Sequence, residues 1–382
     1  MAVLRALSVT PGCAAGPLLS ALEGVLAGRD PALVALPPAD RESAAALRVG
    51  EAIDDDVALV VATSGTTGTP KGALLTAAAL TASAAATHER LGGPGNWLLA
   101  LPPHHIAGLQ VLVRGVLAGG VPAELDLSAG FDVTALPDAV RRLGAGRRYT
   151  SLVAVQLAKA LADRAAAGAL AELDAVLLGG GPPPRPVLDA AAAAGIRVVC
   201  TYGMSETAGG CVYDGLPLDG VRLRVSADGR IVLGGATLAK GYRNPVDPDP
   251  FAEPGWFVTD DIGALDSSGA LTVLGRVDDG ISTGGLTVLP QAVEAALGSH
   301  PAVSDCVVFG VADDRLGQRV VAAVVLRDGW DEPTLEALRA HAATAVDLTA
   351  APRELHIVDA LPRRGIGKVD RATLAHRFGS IG

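Results

Sequence analysis

An α/β chain in two unequal parts is the fold class this sequence predicts, and three observations predict it. Its 382 residues are more than one ordinary domain needs. Short Val/Leu-rich runs alternate with longer Ala-rich ones, the order of buried strands and covering helices. The composition then changes character twice, near residue 220 and after Arg276. Hydrophobic residues make up 49% of the chain and charged ones 19%, which excludes disorder. Aromatics are only 3%, so the core must rest on Ala, Val and Leu, and broad stacking platforms for single-stranded nucleic acid are not expected.

The elements follow in order. VALVVA, residues 57 to 62, reads as a buried strand. A strand from Leu152 to Val155 leads into a helix expected to end near Gly168, and Ala175 to Leu178 is strand again. Pro186 to Ala194 reads as a helix stopped by Gly195, and Arg197 to Thr201 as the next strand. Beyond residue 220, VRLRV, RIVL and GALTVLG are short strands between Gly and Asp turns. From 279 to 382 the chain holds a helix near Pro290 to Leu297, strands at 304–311 and 319–326, a helix at 333–343 and a strand at 354–358. That is enough for a small α+β domain. The expected division is a large N-terminal domain of mixed sheets and helices, 1–276, and a small mobile C-terminal domain, 277–382.

Charge and cysteine usage narrow the function. A net charge of -10 excludes a protein that coats nucleic acid or an anionic membrane, since either partner needs a broad basic face; a local anion pocket stays open. The apolar stretch from Ala73 to Ala86 is interrupted by Thr and Ser, so no membrane span is expected. The N-terminus has a single early charge, Arg5, and breaks at Pro11-Gly12, which does not read as a secretory signal. Cys13, Cys200, Cys211 and Cys306 show neither CxxC pairing nor zinc spacing, and a reducing cytoplasm is expected.

The most informative stretch is Ser64-Gly65-Thr66-Thr67-Gly68-Thr69-Pro70-Lys71-Gly72, directly after the VALVVA strand. Its glycines let backbone amides point inward, its hydroxyls add donors and Lys71 adds a charge, a set that suits a polyphosphate. It is not a P-loop, because Pro70 precedes the lysine and Gly72 follows it. An ordinary surface turn needs only one or two special residues, not nine in succession.

This loop resembles the phosphate loop of the adenylate-forming superfamily of acyl-CoA synthetases, adenylation domains and luciferases. Five further stretches resemble that family's motifs in chain order. LLGGGPPP (177–184) is similar to the Gly-Gly segment beside adenine, and YGMSET (202–207) to YGxTE. GWFVTDDIG (255–263) is similar to GWFxTGDxG, with Asp260 in place of Gly. Gly275-Arg276-Val277-Asp278-Asp279 with Gly284-Gly285 and Pro290 resembles the hinge motif, and LPR (361–363) with GKVDR (367–371) the C-terminal motif.

The resemblance implies that a substrate carboxylate attacks the α-phosphate of ATP, giving an acyl-adenylate that is passed to the thiol of coenzyme A. Ser64, Gly65, Thr66, Thr67, Gly68, Thr69 and Lys71 would hold the phosphates. Gly180, Gly181, Tyr202 and Gly203 would border the adenine, Ser205 would touch the α-phosphate, and Asp261 and Arg276 would hold the ribose. Glu206 would ligate Mg²⁺, a hard cation suited to carboxylate and phosphate oxygens. Lys368 would be the catalytic lysine, bridging acyl carboxylate and α-phosphate. Asp278 would be the hinge, and pivoting there would bring in the thiolation segment Gly284-Gly285.

The stretch from Leu101 to Arg114, LPPHHIAGLQVLVR, stands where the family lines its acyl pocket. Arg114 interrupts an apolar helix and reads either as a snorkelling surface arginine or as the holder of a second, non-reacting carboxylate. His105 would line the same pocket or gate the pantetheine tunnel, and Thr207 would line the pocket. Within the family, a similar HxxGxxxxxR stretch and an N-terminal region shortened like this one occur in the branch of menaquinone biosynthesis that acts on o-succinylbenzoate. Ala107 stands where that branch has Ser or Thr. The expected partners are thus an aromatic dicarboxylic acid, ATP and coenzyme A, with no nucleic acid and no membrane span; a homodimer is one assembly left open. An aryl- or fatty-acid ligase, a carrier-loading adenylation domain and an inactive nucleotide binder remain as alternatives. No carrier module follows residue 382, which weakens loading in cis. The cluster Arg141, Arg142, Arg147 and Arg148 reads as a solvated face or as a coenzyme A phosphate contact.

Only four of the 31 basic residues are lysines: Lys71, Lys159, Lys240 and Lys368. In a chain so biased toward Arg, a retained lysine is expected where Arg chemistry does not substitute. Lys71 and Lys368 lie in the motifs above, and Lys240 in an AKGYRN stretch that resembles another motif of that family; Lys159 lies in none.

Overall fold

The structure is a computed structural model that describes residues 2–10, 12, 15–63, 70–364 and 368–379. Its centre is a seven-stranded sheet, in the order Leu216–Pro217, Gly209–Tyr213, Val198–Met204, Ala175–Gly179, Arg148–Val153, Asn96–Leu99 and Ala123–Glu124. The strands from Val198–Met204 to Ala123–Glu124 run parallel, and the remaining two turn antiparallel. A second sheet joins Arg5–Ser8, Leu33–Leu36, Val57–Val61 and Ala73–Thr76. Every residue of Val57–Val61 is buried, which is why it reads as an unbroken apolar run: both faces are covered. The core between these sheets gathers Trp97, Leu109, Leu112, Tyr149 and Tyr213 around the helices Ala77–Leu91 and Ile106–Leu117.

Two further large sheets follow, besides two-stranded pairs of Ala2–Val3 with Ala52–Ile53 and of Arg363–Arg364 with Lys368–Val369. An antiparallel one runs Val221–Val225, Arg230–Gly235, Trp256–Leu265, Leu271–Arg276. The last holds Leu286–Val288, Ile281–Thr283, Gly317–Leu326 and Val303–Asp313, with Glu354–Ile357 parallel to Gly317–Leu326. The helices Pro290–Gly298 and Leu335–Ala342 share a buried cluster with this sheet, while Arg371–Gly379 packs through Leu374 and Phe378. Among the described residues no helix is long and apolar enough to cross a membrane.

Most expected elements appear within a residue or two. The helix expected to run to Gly168 is instead two helices, Ala154–Leu161 and Arg164–Ala171, because the Asp163 carboxylate accepts the N–H of Ala166 at 2.9 Å and starts a new helix there. Trp256–Leu265 is a ten-residue strand that sequence reading saw only as a motif.

Candidate active site

The carboxyl ends of the parallel strands lead directly into the predicted motifs, the edge at which open α/β sheets bind ligands. Asn96–Leu99 runs toward the Leu101–His105 segment, Ala175–Gly179 into Gly180 and Gly181, and Val198–Met204 into Ser205. The last of these ends carries a bulge between Tyr202 and Gly203. A Cβ on Gly203 would stand 2.2 Å from the Gly209 carbonyl oxygen, so only glycine permits that approach. Ser205–Thr207 then forms a 3₁₀ turn that ends at Ala208, whose φ is +51°. The side chains of Ser83 and Gln110 donate to the Ala208 carbonyl at 2.8 and 2.7 Å and hold this uncommon conformation.

The Thr207 hydroxyl is engaged within its own turn. It is fully buried, accepts the Met204 N–H at 3.0 Å and lies 2.7 Å from the Gly209 carbonyl oxygen. It braces the turn and has no hydrogen left for an acyl substrate.

Glu206 is buried and its Oε1 accepts the Tyr242 hydroxyl at 2.6 Å. Lys71 stands over the same ring, 5.3 Å from its centroid. Burial, with Glu206 adding to it, raises the Tyr242 phenol well above its ordinary value, so it stays a donor. Backbone bonds zip residues 240–244 to the exit of the phosphate loop. Lys240 N donates to Leu74 O at 2.8 Å, Leu74 N to Gly241 O at 2.9 Å, Arg243 N to Gly72 O at 2.7 Å and Asn244 N to Lys71 O at 2.9 Å. Ser64, Gly65, Thr66, Thr67, Gly68 and Thr69 themselves lie outside the described residues.

Sequence reading missed Tyr242; the signal was the AKGYRN stretch (239–244), noticed there only for its lysine. Lys240 turns out to bond Asp54 and Asp56, at 2.7 and 2.8 Å, as a surface staple. Among the described residues no three potential ligands cluster into a metal cage. One buried carboxylate with one oxygen occupied by Tyr242 fits Mg²⁺, which keeps waters and phosphate oxygens as its remaining ligands. Tyr242→Phe is expected to weaken Mg²⁺ activation about tenfold, since lost outer partners of a metal ligand cost that order in affinity. A Mg²⁺ titration of activity that does not shift would remove Tyr242 from this role.

Asp261 sits across the strand ladder from Arg276. Its Oδ2 accepts the Tyr202 hydroxyl at 2.7 Å and its Oδ1 an Arg276 N–H at 3.3 Å. Burial pushes the Asp261 carboxyl above its ordinary value, against the opposing pull of Tyr202 and Arg276. Tyr202 is therefore tethered to Asp261 by its hydroxyl. Arg276 also forks onto Asp278, Nε to Oδ1 at 2.8 Å and Nη2 to Oδ2 at 2.9 Å. Although burial opposes it, this pairing holds the Asp278 carboxyl below its ordinary value. Ribose-binding and hinge candidates are thus one connected cluster.

The acyl candidates lie along the helix Ile106–Leu117, which His105 caps. Arg114 does not snorkel: it is only 3% exposed. Its guanidinium lies 4.9 Å from the Trp97 ring and donates to the Tyr213 hydroxyl at 3.4 Å. No carboxylate pairs with it among the described residues, and its Nε has no partner. Gln110, one turn earlier on the same helix face, has an unpartnered buried Oε1, and His104 an unpartnered Nδ1. The rings of His104 and His105 are 4.3 Å apart. Buried polar atoms left without partners are costly unless a ligand or water answers them.

His88 shares this cluster, its Nε2 accepting the Trp97 indole N–H at 3.2 Å. Burial, then the nearby Arg114 charge, brings its pKa down from 6.5 to about 4. The fold therefore keeps it neutral while the unfolded chain takes up a proton. Stability is full above pH 6.5 and falls as the pH drops toward 4, by on the order of 3 kcal/mol from this group. Denaturation curves of His88→Gln between those limits are expected to be flatter by about one proton; an unchanged slope would assign the acid limb elsewhere.

The arginine cluster does not converge. Arg142 donates to the Glu124 carbonyl at 2.9 Å, Arg148 pairs with Glu172 at 3.3 Å, and Arg141 pairs with Asp138. Gly284 and Gly285 form the two-residue turn between Ile281–Thr283 and Leu286–Val288, both with positive φ, +58° and +83°. Lys368 opens a short strand paired with Arg363–Arg364; its side chain and residues 365–367 lie outside the described residues.

Residues 22–243 match the AMP-binding enzyme family, and residues 292–368 match the AMP-binding enzyme C-terminal domain. A probable 2-succinylbenzoate–CoA ligase of Mycobacterium tuberculosis is 75% identical over 377 residues, covering 98% of each chain. The 2-succinylbenzoate–CoA ligase of Geobacillus kaustophilus is 37% identical over 348 residues, 84% of this chain and 69% of that one. Among solved structures, the o-succinylbenzoate CoA synthetase of Bacillus subtilis with its acyl-adenylate intermediate superposes with a TM-score of 0.79 at 25% identity, covering 97% of this chain and 88% of the other. The same enzyme with ATP and magnesium gives 0.78 at 26% identity, over 97% and 89%. The chain belongs to the AMP-binding enzyme family, alongside its 2-succinylbenzoate–CoA ligases.

Proposed function

We propose that this enzyme joins 2-succinylbenzoate to coenzyme A in two steps at one site, at the expense of ATP. The observation that carries the choice of acid is Arg114, a buried cation with no carboxylate of its own. An unpaired buried charge is costly, and a second carboxylate on the substrate supplies the missing partner.

In the first step one substrate carboxylate oxygen attacks the α-phosphorus, the bond to the bridging oxygen breaks and pyrophosphate leaves. The carboxylate is already ionised near neutral pH, so the residues position groups and neutralise charge. Lys71 and the loop before it hold phosphates, Asp261 and Arg276 hold the ribose, and Tyr202 packs on the adenine. Mg²⁺, when bound at Glu206, neutralises phosphate oxygens. Lys368 brings its ammonium between the two anions as they meet. In the second step the coenzyme A thiol gives up its proton to water, its sulfur attacks the acyl carbon and AMP leaves with the electron pair of the acyl–oxygen bond. We assign residues 1–276 to the ATP- and acyl-binding domain and 277–382 to a mobile domain that pivots at Asp278, exchanging Lys368 for the Gly284-Gly285 turn. Its substrates suit a cytoplasmic enzyme.

The test is ATP–pyrophosphate exchange over a panel of acids, followed by thioester detection. Exchange with 2-succinylbenzoate above simple aryl and fatty acids is expected. Exchange with those acids alone would favour another acyl-CoA ligase, and exchange with none would end the ligase reading.

A further inference from the structure

We propose that Arg371 is a positioning residue that ties the loop carrying Lys368 to the hinge, so that the lysine and the pivot turn as one body. The proposal rests on the ligase reading above. Arg371 opens the helix Arg371–Gly379, three residues after Lys368. It stands at the foot of the Lys368 hairpin, which the Asp370 N–H closes by donating to the Pro362 carbonyl at 2.8 Å.

All three nitrogens of its guanidinium are engaged. Nη1 donates to Asp279 Oδ2 at 3.2 Å, Nη2 to the two Glu294 oxygens at 2.7 and 2.9 Å, and Nε to the Val308 carbonyl at 3.2 Å. Its partners are held in turn: Gln291 donates to Asp279 Oδ2 at 2.7 Å and Val308 N to Glu294 Oε1 at 2.8 Å. A planar fork held at this many points fixes direction as well as distance, which a lysine in its place would not. The network also differs from a surface ion pair. The Glu294 side chain is only 15% exposed, so its charge is poorly screened.

The placement of the two neighbouring aspartates gives the network a function. Asp278 is held by Arg276 from the large part of the chain, and Asp279 by Arg371 from the small part. Rotation at this point can open the Arg276 fork, while Arg371, Asp279 and Glu294 all travel with the small part. The angle taken at the hinge is then passed to the Lys368 hairpin without slack.

The experiment uses the full chain with Asp279→Ala, which cuts the hinge end while leaving the Arg371–Glu294 pair intact, and with Arg371→Ala. Two half-reactions are measured: ATP–pyrophosphate exchange with 2-succinylbenzoate, and thioester formation from supplied acyl-adenylate and coenzyme A. Asp279→Ala is expected to lower the exchange kcat about 10- to 100-fold, with the KM for ATP and thioester formation each within about threefold of wild type. Its Tm should stay near wild type, and Asp279→Glu should recover part of the exchange. Arg371→Ala should show the same split with a lower Tm, because Glu294 loses its partner. Equal losses in both half-reactions, or no loss in Asp279→Ala, would overturn the proposal. A wild-type chain that exchanges with no acid would instead overturn the ligase reading, and this proposal with it.

Discussion

Lys368→Ala is expected to slow acyl-adenylate formation on the order of 10²- to 10³-fold, the cost of losing one preorganised group that meets charge in the transition state. Thioester formation from supplied acyl-adenylate should stay within about threefold of wild type, because that step needs no cation between carboxylate and phosphate. The sign follows from charge: two anions approach, and their repulsion falls on the step that joins them. Lys368→Arg should recover little, since a broad planar fork does not replace a compact ammonium between two oxygens. Single-turnover assays of the two half-reactions check the split. Equal loss in both would deny the lysine its separate role, and full activity in Lys368→Arg would undo the inference from retained lysines.

Arg114→Met should separate recognition from stability. The kcat/KM for 2-succinylbenzoate is expected to fall about 10²- to 10³-fold, matching the loss of a buried charge pair. For 4-oxo-4-phenylbutanoate, which lacks the ring carboxylate, it should change little. The free protein should meanwhile melt at a higher temperature, because methionine fills much of the same space without a desolvated charge. Tyr213 tolerates the change, as its hydroxyl keeps Thr87 at 2.9 Å. The His88 imidazole should titrate higher once the neighbouring cation is gone. A lower melting temperature would mean that Arg114 is a structural residue, and equal losses on both acids would mean that it does not read the second carboxylate.

Much of the candidate site could be proposed from the sequence because phosphate binding demands local chemistry: glycines, hydroxyls and a lysine in one short loop. The same holds for Asp261 and Arg276, which stand inside recognisable motifs. Tyr242 and Gln110 were not legible in that way. One is a tyrosine that meets Glu206 from 36 residues away, the other a glutamine that meets the Ala208 carbonyl from 98 residues away. The AKGYRN stretch marks Tyr242 but not its partner, and nothing local marks Gln110, because chain topology makes both contacts. Thr207 shows the reverse case, a motif residue expected at the substrate whose hydroxyl is taken up by its own turn.

By itself the sequence determined the alternation of strands and helices, the order of the motifs and the family to which they point, since periodicity and loop chemistry act over a few residues. Only the tertiary structure decided where Arg114 puts its charge. A sequence lets an arginine in an apolar helix reach water or remain inside, and the choice depends on what surrounds the guanidinium. Here Trp97 and Tyr213 close over it, with His88 of the helix Ala77–Leu91 nearby, and under the proposed function the partner of the enclosed charge is the substrate's second carboxylate.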